Sequence, residues 1–253
     1  MSTKHVFDDA TGLVEKACLG VASTNPDLRF FAHHKVLYNA AHPRDKVAIL
    51  AGGGAGHEPA FSGLVGSGLV TVAVSGDVFA SPSSKQICSG VDLAPTDKGI
   101  VTIVLNYTGD CLNFGLASEK ARSAFHSEGK GRDIEMVNVG DDVSVGRSKG
   151  GLVGRRGLTG AAFTAKVLGA ASEKGDDVQK IAHLGRTMVK NFVTVGSSLD
   201  HCHVPGRSTD PKERGALSQS AVEIGMGIHN APGAKHSAHK PSGEALIKEV
   251  LER

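Results

Sequence analysis

Residues 48–61, AILAGGGAGHEPAF, decide the fold. An aliphatic run, Val47-Ala48-Ile49-Leu50, breaks into the glycines Gly52, Gly53 and Gly54, then Ala55, Gly56, His57, Glu58 and Pro59. A short unbroken apolar run marks a strand covered on both faces, and glycines at its end bare the backbone to a close neighbour. The stretch reads as a buried parallel strand ending beside an imidazole. Leu69–Val74, Gly99–Asn106 and Ile134–Val139 share its character, and each stops at a polar or glycine-rich turn: SGDVFASPSS, NYTGDCLNF and GDDVSVGRSKGG. Between the last two strands lies a helical pattern, Phe114–Glu128, with Phe114, Ala117, Ala121, Ala124 and Phe125 on one face. Strand, turn, helix, strand is the repeating unit of an α/β fold.

Beyond residue 158 the period changes. Leu158–Ser172 and Asp176–Asn191 read as helices, with Gly175 closing the first and Asp176 or its neighbour capping the second. Phe192–Gly196 reads as a strand before a long polar loop. AVEIGMGIHNAPG (221–233) reads as a last strand running into a turn. AKHSAHKPSG (234–243) is hinge-like, and Glu244–Glu252 forms a short exposed helix with Glu244 and Lys248 four residues apart. The expected architecture is a three-layer α/β sandwich around a mainly parallel sheet. One domain is expected over residues 1–253, with hinge and terminal helix from 235.

Composition narrows the function. The chain has 253 residues, 40% of them hydrophobic, enough for a sizeable core. Its 33 glycines follow no Gly-X-Y period, so they serve tight turns. With 28 basic and 26 acidic residues interspersed, two Tyr and no Trp, it offers nucleic acid neither a basic face nor stacking platforms. Cys18, Cys88, Cys111 and Cys202 show no paired spacing and read as free, mostly buried thiols of a reducing compartment. The N-terminal MSTKHVFDDATG has no apolar signal region, and no apolar run is long enough for a membrane span. A soluble, cytoplasmic protein is expected.

In an open parallel sheet, ligands bind at the carboxyl ends of the strands. That rule draws the turns together and nominates His57, Asp77, Asn106 and Asp110, with His229 from the last strand. GGGAGHEP is neither a P-loop nor a clean dinucleotide motif, yet its bare N–H groups suit a hydroxyl or carbonyl oxygen as well as a phosphate. DHCH (200–203) and HSAH (236–239) match no zinc spacing, so no metal site is expected. A serine-hydrolase elbow is also missing.

Taken in order, GGGAGHEP, GDVFASPSSKQI, NYTGDCLNFGLASEKAR, GDDVSVGRSKGGLVGRRGLTG, VTVGSSLDHCHVPGR and EIGMGIHNAPG resemble the substrate-binding domain of dihydroxyacetone kinases. The similarity is greatest to the ATP-dependent, single-chain type and runs over nearly the whole chain. It implies that the glycine loop, with Gly53, Gly54 and Ala55, holds an uncharged triose. It also implies that His229, within the family's GxGIHxEPG motif, bonds the ketone carbon as a hemiaminal. His57 and Asp110 would flank the ketose hydroxyls as an acid/base pair that prepares a terminal hydroxyl to attack phosphorus. Leu105, Asn106 and Asp77 occupy further positions of that pocket. The chemistry is sound on its own terms: a neutral imidazole attacks a ketone when a neighbour protonates the developing oxyanion. A second histidine near a carboxylate suits that task.

Four positions depart from the family pattern. Ala55 stands for a serine, Asp77 for a glutamate, Leu105 for a lysine and Ala231 for a glutamate. The missing lysine removes a charge-assisted donor and adds apolar surface. In the family, a second lobe follows this region, and then a helical domain that holds ATP and magnesium. The chain, which ends at Arg253, shows no P-loop and no aspartate-rich magnesium site. Two functions are expected. One is the substrate-binding component of a glycerone kinase, homodimeric, holding dihydroxyacetone or a similar ketose and meeting ATP and magnesium only through a separate partner domain. The other is a stand-alone lyase, isomerase, dehydratase or cyclase that uses His57, Asp110 and His229 on another carbonyl compound.

Overall fold

A computed structural model describes residues 4–129, 131–144, 154–208, 210, 212 and 215–252. Strands β1 (Leu28–Phe31), β2 (Val36–Asn39), β3 (Ala48–Ala55), β4 (Val72–Val78), β5 (Ile100–Leu105) and β6 (Ile134–Val139) form one sheet in the order β1-β2-β4-β3-β5-β6. β4, β3, β5 and β6 run parallel, while β2 meets β4, and β1 meets β2, antiparallel. The helices are α1 (Leu13–Ser23), α2 (Ser84–Leu93), α3 (Thr108–Glu128), α4 (Gly160–Glu173), α5 (Val178–Val189) and α6 (Gly243–Leu251). Among the described residues, no helix is long and apolar enough to cross a membrane.

Alternate residues of β3 serve opposite layers. Ile49 and Ala51 pack with Leu168 of α4 and Ile181 of α5, whereas Ala48 and Leu50 pack with Val91 of α2 and Phe114 of α3. Both faces of the sheet are thus covered, which is why its inner strands are unbroken apolar runs. Each fully buried side chain of this size contributes about 1.5–3 kcal/mol. A second, antiparallel sheet of β7 (Ser197–Ser198), β8 (Val222–Ile224) and β9 (Lys235–Ser237) leads into the loop that bears His229.

Several boundaries differ from the sequence reading. The strand expected at Val47–Leu50 continues through all three glycines to Ala55, because β3 lies between β4 and β5 where side chains do not fit. A Cβ on Gly52 would overlap the Val74 carbonyl oxygen, and one on Gly54 would sit 2.8 Å from Ala80 N. The strand expected at Leu69–Val74 begins at Val72 and runs to Val78, taking in residues read as a turn. Within that same turn α2 begins, on a capping box between Ser83 and Gln86. α3 starts at Thr108 and includes Asp110 in its first turn. The cap of α5, expected at Asp176 or its neighbour, is Asp177, which accepts from Lys180 N–H. No strand forms at Phe192–Gly196; Thr194 makes only an isolated bridge to Asp142. The expected hinge contains β9. All of GRSKGG (146–151) lies outside the described residues. Of the cysteines, Cys202 is exposed, Cys18 buried and the other two half-buried.

Candidate active site at the strand ends

The carboxyl end of β3 sets the geometry. A Cβ on Gly53 would lie 3.4 Å from Phe61 Cε2 and 3.9 Å from Asp110 Oδ1, so bare backbone passes close to the carboxyl. Gly54 presses on the Phe79–Ala80 peptide, and Ala55 accepts the Phe79 N–H at 2.9 Å while its methyl packs with Val14 and Cys18. The chain then turns at Gly56, whose φ of +98° favours glycine and whose N–H donates to the Glu58 carboxylate at 3.1 and 3.2 Å. His57 follows immediately.

His57 and His229, 172 residues apart in sequence, bring their Nε2 atoms to 3.0 Å. Aromatic rings enclose the pair. Phe79 stacks on His57 at 4.9 Å and 17° and presents its edge to His229 at 5.4 Å; Tyr107 approaches His229 edge-on at 4.9 Å. Phe79 itself has φ +57°, a conformation that only strong surroundings impose on a bulky residue. Burial is the main cause that lowers His57 to about 4; the neighbouring His229 lowers it further, and Glu58 opposes them. Burial alone lowers His229. Near neutral pH both rings are therefore uncharged, and one Nε2–H donates to the other Nε2.

Asp110 is buried in the first turn of α3, where the helix dipole favours an anion. Burial nevertheless raises its proton affinity, opposed by a hydrogen bond from the Ser81 hydroxyl. Its Oδ1 has no hydrogen-bond partner among the described residues. A cavity of about 320 Å³, lined by Phe79, Cys202, His203, Arg207, His229 and Asn230, opens beside His229. Small ligands occupy sites of this size.

The other nominated residues turn elsewhere. Asp77 is exposed and its carboxylate pairs with Lys35. Leu105 is buried in the core on the α4–α5 side, close against Gly157. Asn106 donates to the Arg155 carbonyl at 2.8 Å and accepts the Cys111 thiol at 3.4 Å. Of the DHCH residues, His201 pairs with Glu223 at 3.2 Å and His203 with His5 at 2.7 Å. Sequence reasoning missed Phe79, Tyr107 and Asn230. Asn230 has φ +57°, and its amide both accepts the Cys202 N–H at 2.8 Å and donates to the Cys202 carbonyl at 3.0 Å. Asn beside the histidine was a signal, since Asn tolerates this backbone conformation better than other non-glycine residues.

Residues 19–253 match the model of the Dak1 domain family. A dihydroxyacetone kinase of Pichia angusta is 42% identical over 261 residues, which spans 99% of this chain and 42% of that protein. The triokinase/FMN cyclase of Homo sapiens is 37% identical over 256 residues, spanning 100% of this chain and 42% of the relative. The crystal structure of the dihydroxyacetone kinase of C. freundii superimposes with a TM-score of 0.86 at 32% identity, over 99% of this chain and 45% of that one. The chain spans less than half the length of these relatives.

Proposed function

This chain belongs to the Dak1 domain family, and from that membership we propose that it is the substrate-binding part of a glycerone kinase. It captures a short ketose such as dihydroxyacetone covalently on His229, and ATP and magnesium reach the bound sugar from a separate domain or partner. The observation that supports this reading most is the 3.0 Å contact between two imidazoles held neutral by burial. In the productive tautomer, His57 donates its Nε2–H and His229 accepts with its lone pair.

A ketone entering between them meets a nucleophile on one side and a proton donor on the other. The His229 lone pair bonds the carbonyl carbon and the π pair moves to oxygen. That oxygen takes the Nε2–H of His57, and the Nδ1–H that His229 releases is returned through solvent to His57, so both the hemiaminal and His57 end neutral. Polyols with the same hydroxyls and no carbonyl cannot form it. Asp110, buried and with raised proton affinity, is suited to draw the proton from a terminal hydroxyl as phosphorus is attacked. A second reading, a non-kinase enzyme working on another carbonyl compound, draws support from Leu105, an apolar core residue where the dihydroxyacetone kinases it resembles carry a lysine.

Nuclear magnetic resonance of dihydroxyacetone labelled at its carbonyl carbon tests the proposal. Wild-type protein should convert the carbonyl signal into that of a tetrahedral carbon, and His229→Ala should not. Addition of ATP and magnesium should yield no ADP above background. Absence of the adduct from wild type would reject the ketose reading, and turnover of a different carbonyl compound would install the second.

A further inference from the structure

His229 lies on the loop Gly225–Pro232, and both ends of that loop are bound to one guanidinium. Arg156 donates through Nη2 to the Gly225 carbonyl at 2.5 Å and through Nη1 to the Pro232 carbonyl at 3.2 Å. Its Nε–H donates to Asp142 Oδ2 at 2.8 Å, and Nη2 lies 2.7 Å from the same oxygen. The Asp142 side chain is 1% exposed, and its Oδ1 accepts both the backbone N–H and the hydroxyl of Ser144. That hydroxyl also lies 3.4 Å from the Gly225 carbonyl. Inside the loop, the Gly227 N–H donates to the Ala231 carbonyl at 2.9 Å.

This arrangement accounts for the glycine spacing ahead of His229. A Cβ on Gly227 would sit 2.8 Å from Arg156 Nη1, and one on Gly225, where φ is +80°, would sit 2.5 Å from Ser144 Cβ. The Gly-Met-Gly sequence is the footprint of Arg156 and Ser144 on the loop.

We infer that Arg156 is a positioning residue for His229. It holds the Gly225 and Pro232 carbonyls on one rigid fork, and the loop then presents His229 Nε2 3.0 Å from His57 Nε2. The planar guanidinium reaches two carbonyls and a carboxylate at once. A lysine places one compact ammonium on a flexible stem and cannot span them. Outright removal of the charge strands the Asp142 carboxylate in the interior, a strongly destabilising change.

The inference deepens the reading of His229 as the ketose-bonding residue, and only the adduct arm of its test rests on that reading. Arg156→Lys is compared with wild type by imidazole nitrogen resonances and by affinity for labelled dihydroxyacetone. The variant should keep its circular dichroism, lose the resonance signature of the His57–His229 hydrogen bond, and bind the ketose roughly tenfold more weakly or worse. Where Arg156→Lys does not fold, the double variant Asp142→Asn with Arg156→Gln removes both charges together and should show the same losses. A folded variant with wild-type imidazole signals overturns the inference. Unfolding of both variants also overturns it, because the pair would then hold the domain and not the loop. Wild-type protein that forms no adduct, but whose imidazole contact vanishes in Arg156→Lys, retains the positioning role and rejects only the ketose reading.

Discussion

At His57, desolvation decides the chemistry. An imidazolium there would lose water and face a second ring, so the neutral form wins and His57 meets its partner as an uncharged ring that can donate one N–H. The sign of the pH effect follows. The folded value of about 4 lies below the ordinary 6.5, so the unfolded chain takes up its proton first as pH falls. Stability from this group is complete above 6.5 and is lost as pH drops from there toward 4; His229 is shifted in the same direction. In thermal unfolding, His57→Gln should therefore lose less Tm than wild type between about pH 7 and about pH 5, where each kcal/mol is worth roughly 2–4 °C for a chain of this size. An equal loss in both proteins would mean that His57 titrates normally in the fold. Asp110 follows the same logic with opposite sign of charge, since its buried carboxyl holds its proton to higher pH.

Strand β3 shows what a glycine does when its reason is tertiary. Gly52 and Gly53 are chain neighbours with opposite constraints. At Gly52 a methyl meets backbone, the Val74 carbonyl, which cannot move without parting β3 from β4. At Gly53 the nearest atom is Phe61 Cε2 at 3.4 Å, an ordinary contact. Gly52→Ala should cost about 1–3 kcal/mol or more in urea unfolding. Gly53→Ala should leave stability nearly unchanged but weaken ketose binding, since its methyl stands 3.9 Å from Asp110 Oδ1. The reverse ranking would show that the bare backbone serves the sheet and not the ligand. Read alone, the glycines look like punctuation, and the strand was stopped short for that reason. The apolar runs of β3, β5 and β6 were legible because burial on both faces leaves a one-dimensional signature. The β1–β2 hairpin was not, since both strands are four residues long and the edge strand β1 has mixed exposure, and with it went Lys35, which pairs with Asp77. Leu105 was nominated because the family carries a lysine at that position; strand parity puts it beside Ile103 on the α4–α5 face.

Across the molecule, the two histidines belong to parts of unequal strength. His57 hangs from the inner strand of a six-stranded sheet sandwiched between two cores, while His229 hangs from a sheet of two- and three-residue strands. No strand residue of the smaller sheet belongs to the apolar clusters that hold the large one, and regions outside such cores open with a free energy below that of global unfolding. The motifs in the sequence named both histidines, yet nothing local to either stretch reveals that they meet, because the contact exists only once the small sheet docks on the large one. Amide hydrogen exchange should separate the two parts. Val222 and Ile224 of β8, though as buried as Ile49 and Leu50 of β3 and also paired on both sides, should exchange faster, because their strand neighbours are only two and three residues long. Dihydroxyacetone bonded to His229 should then slow exchange in β8 and the Gly225–Pro232 loop and leave β3 unchanged, since a covalent bond spanning the site draws its stability from the weaker partner. Uniform protection of both sheets in the free protein would instead mean that Arg156, Asn230 and the paired imidazoles already lock the small sheet to the large one, and the ketose would add nothing measurable there.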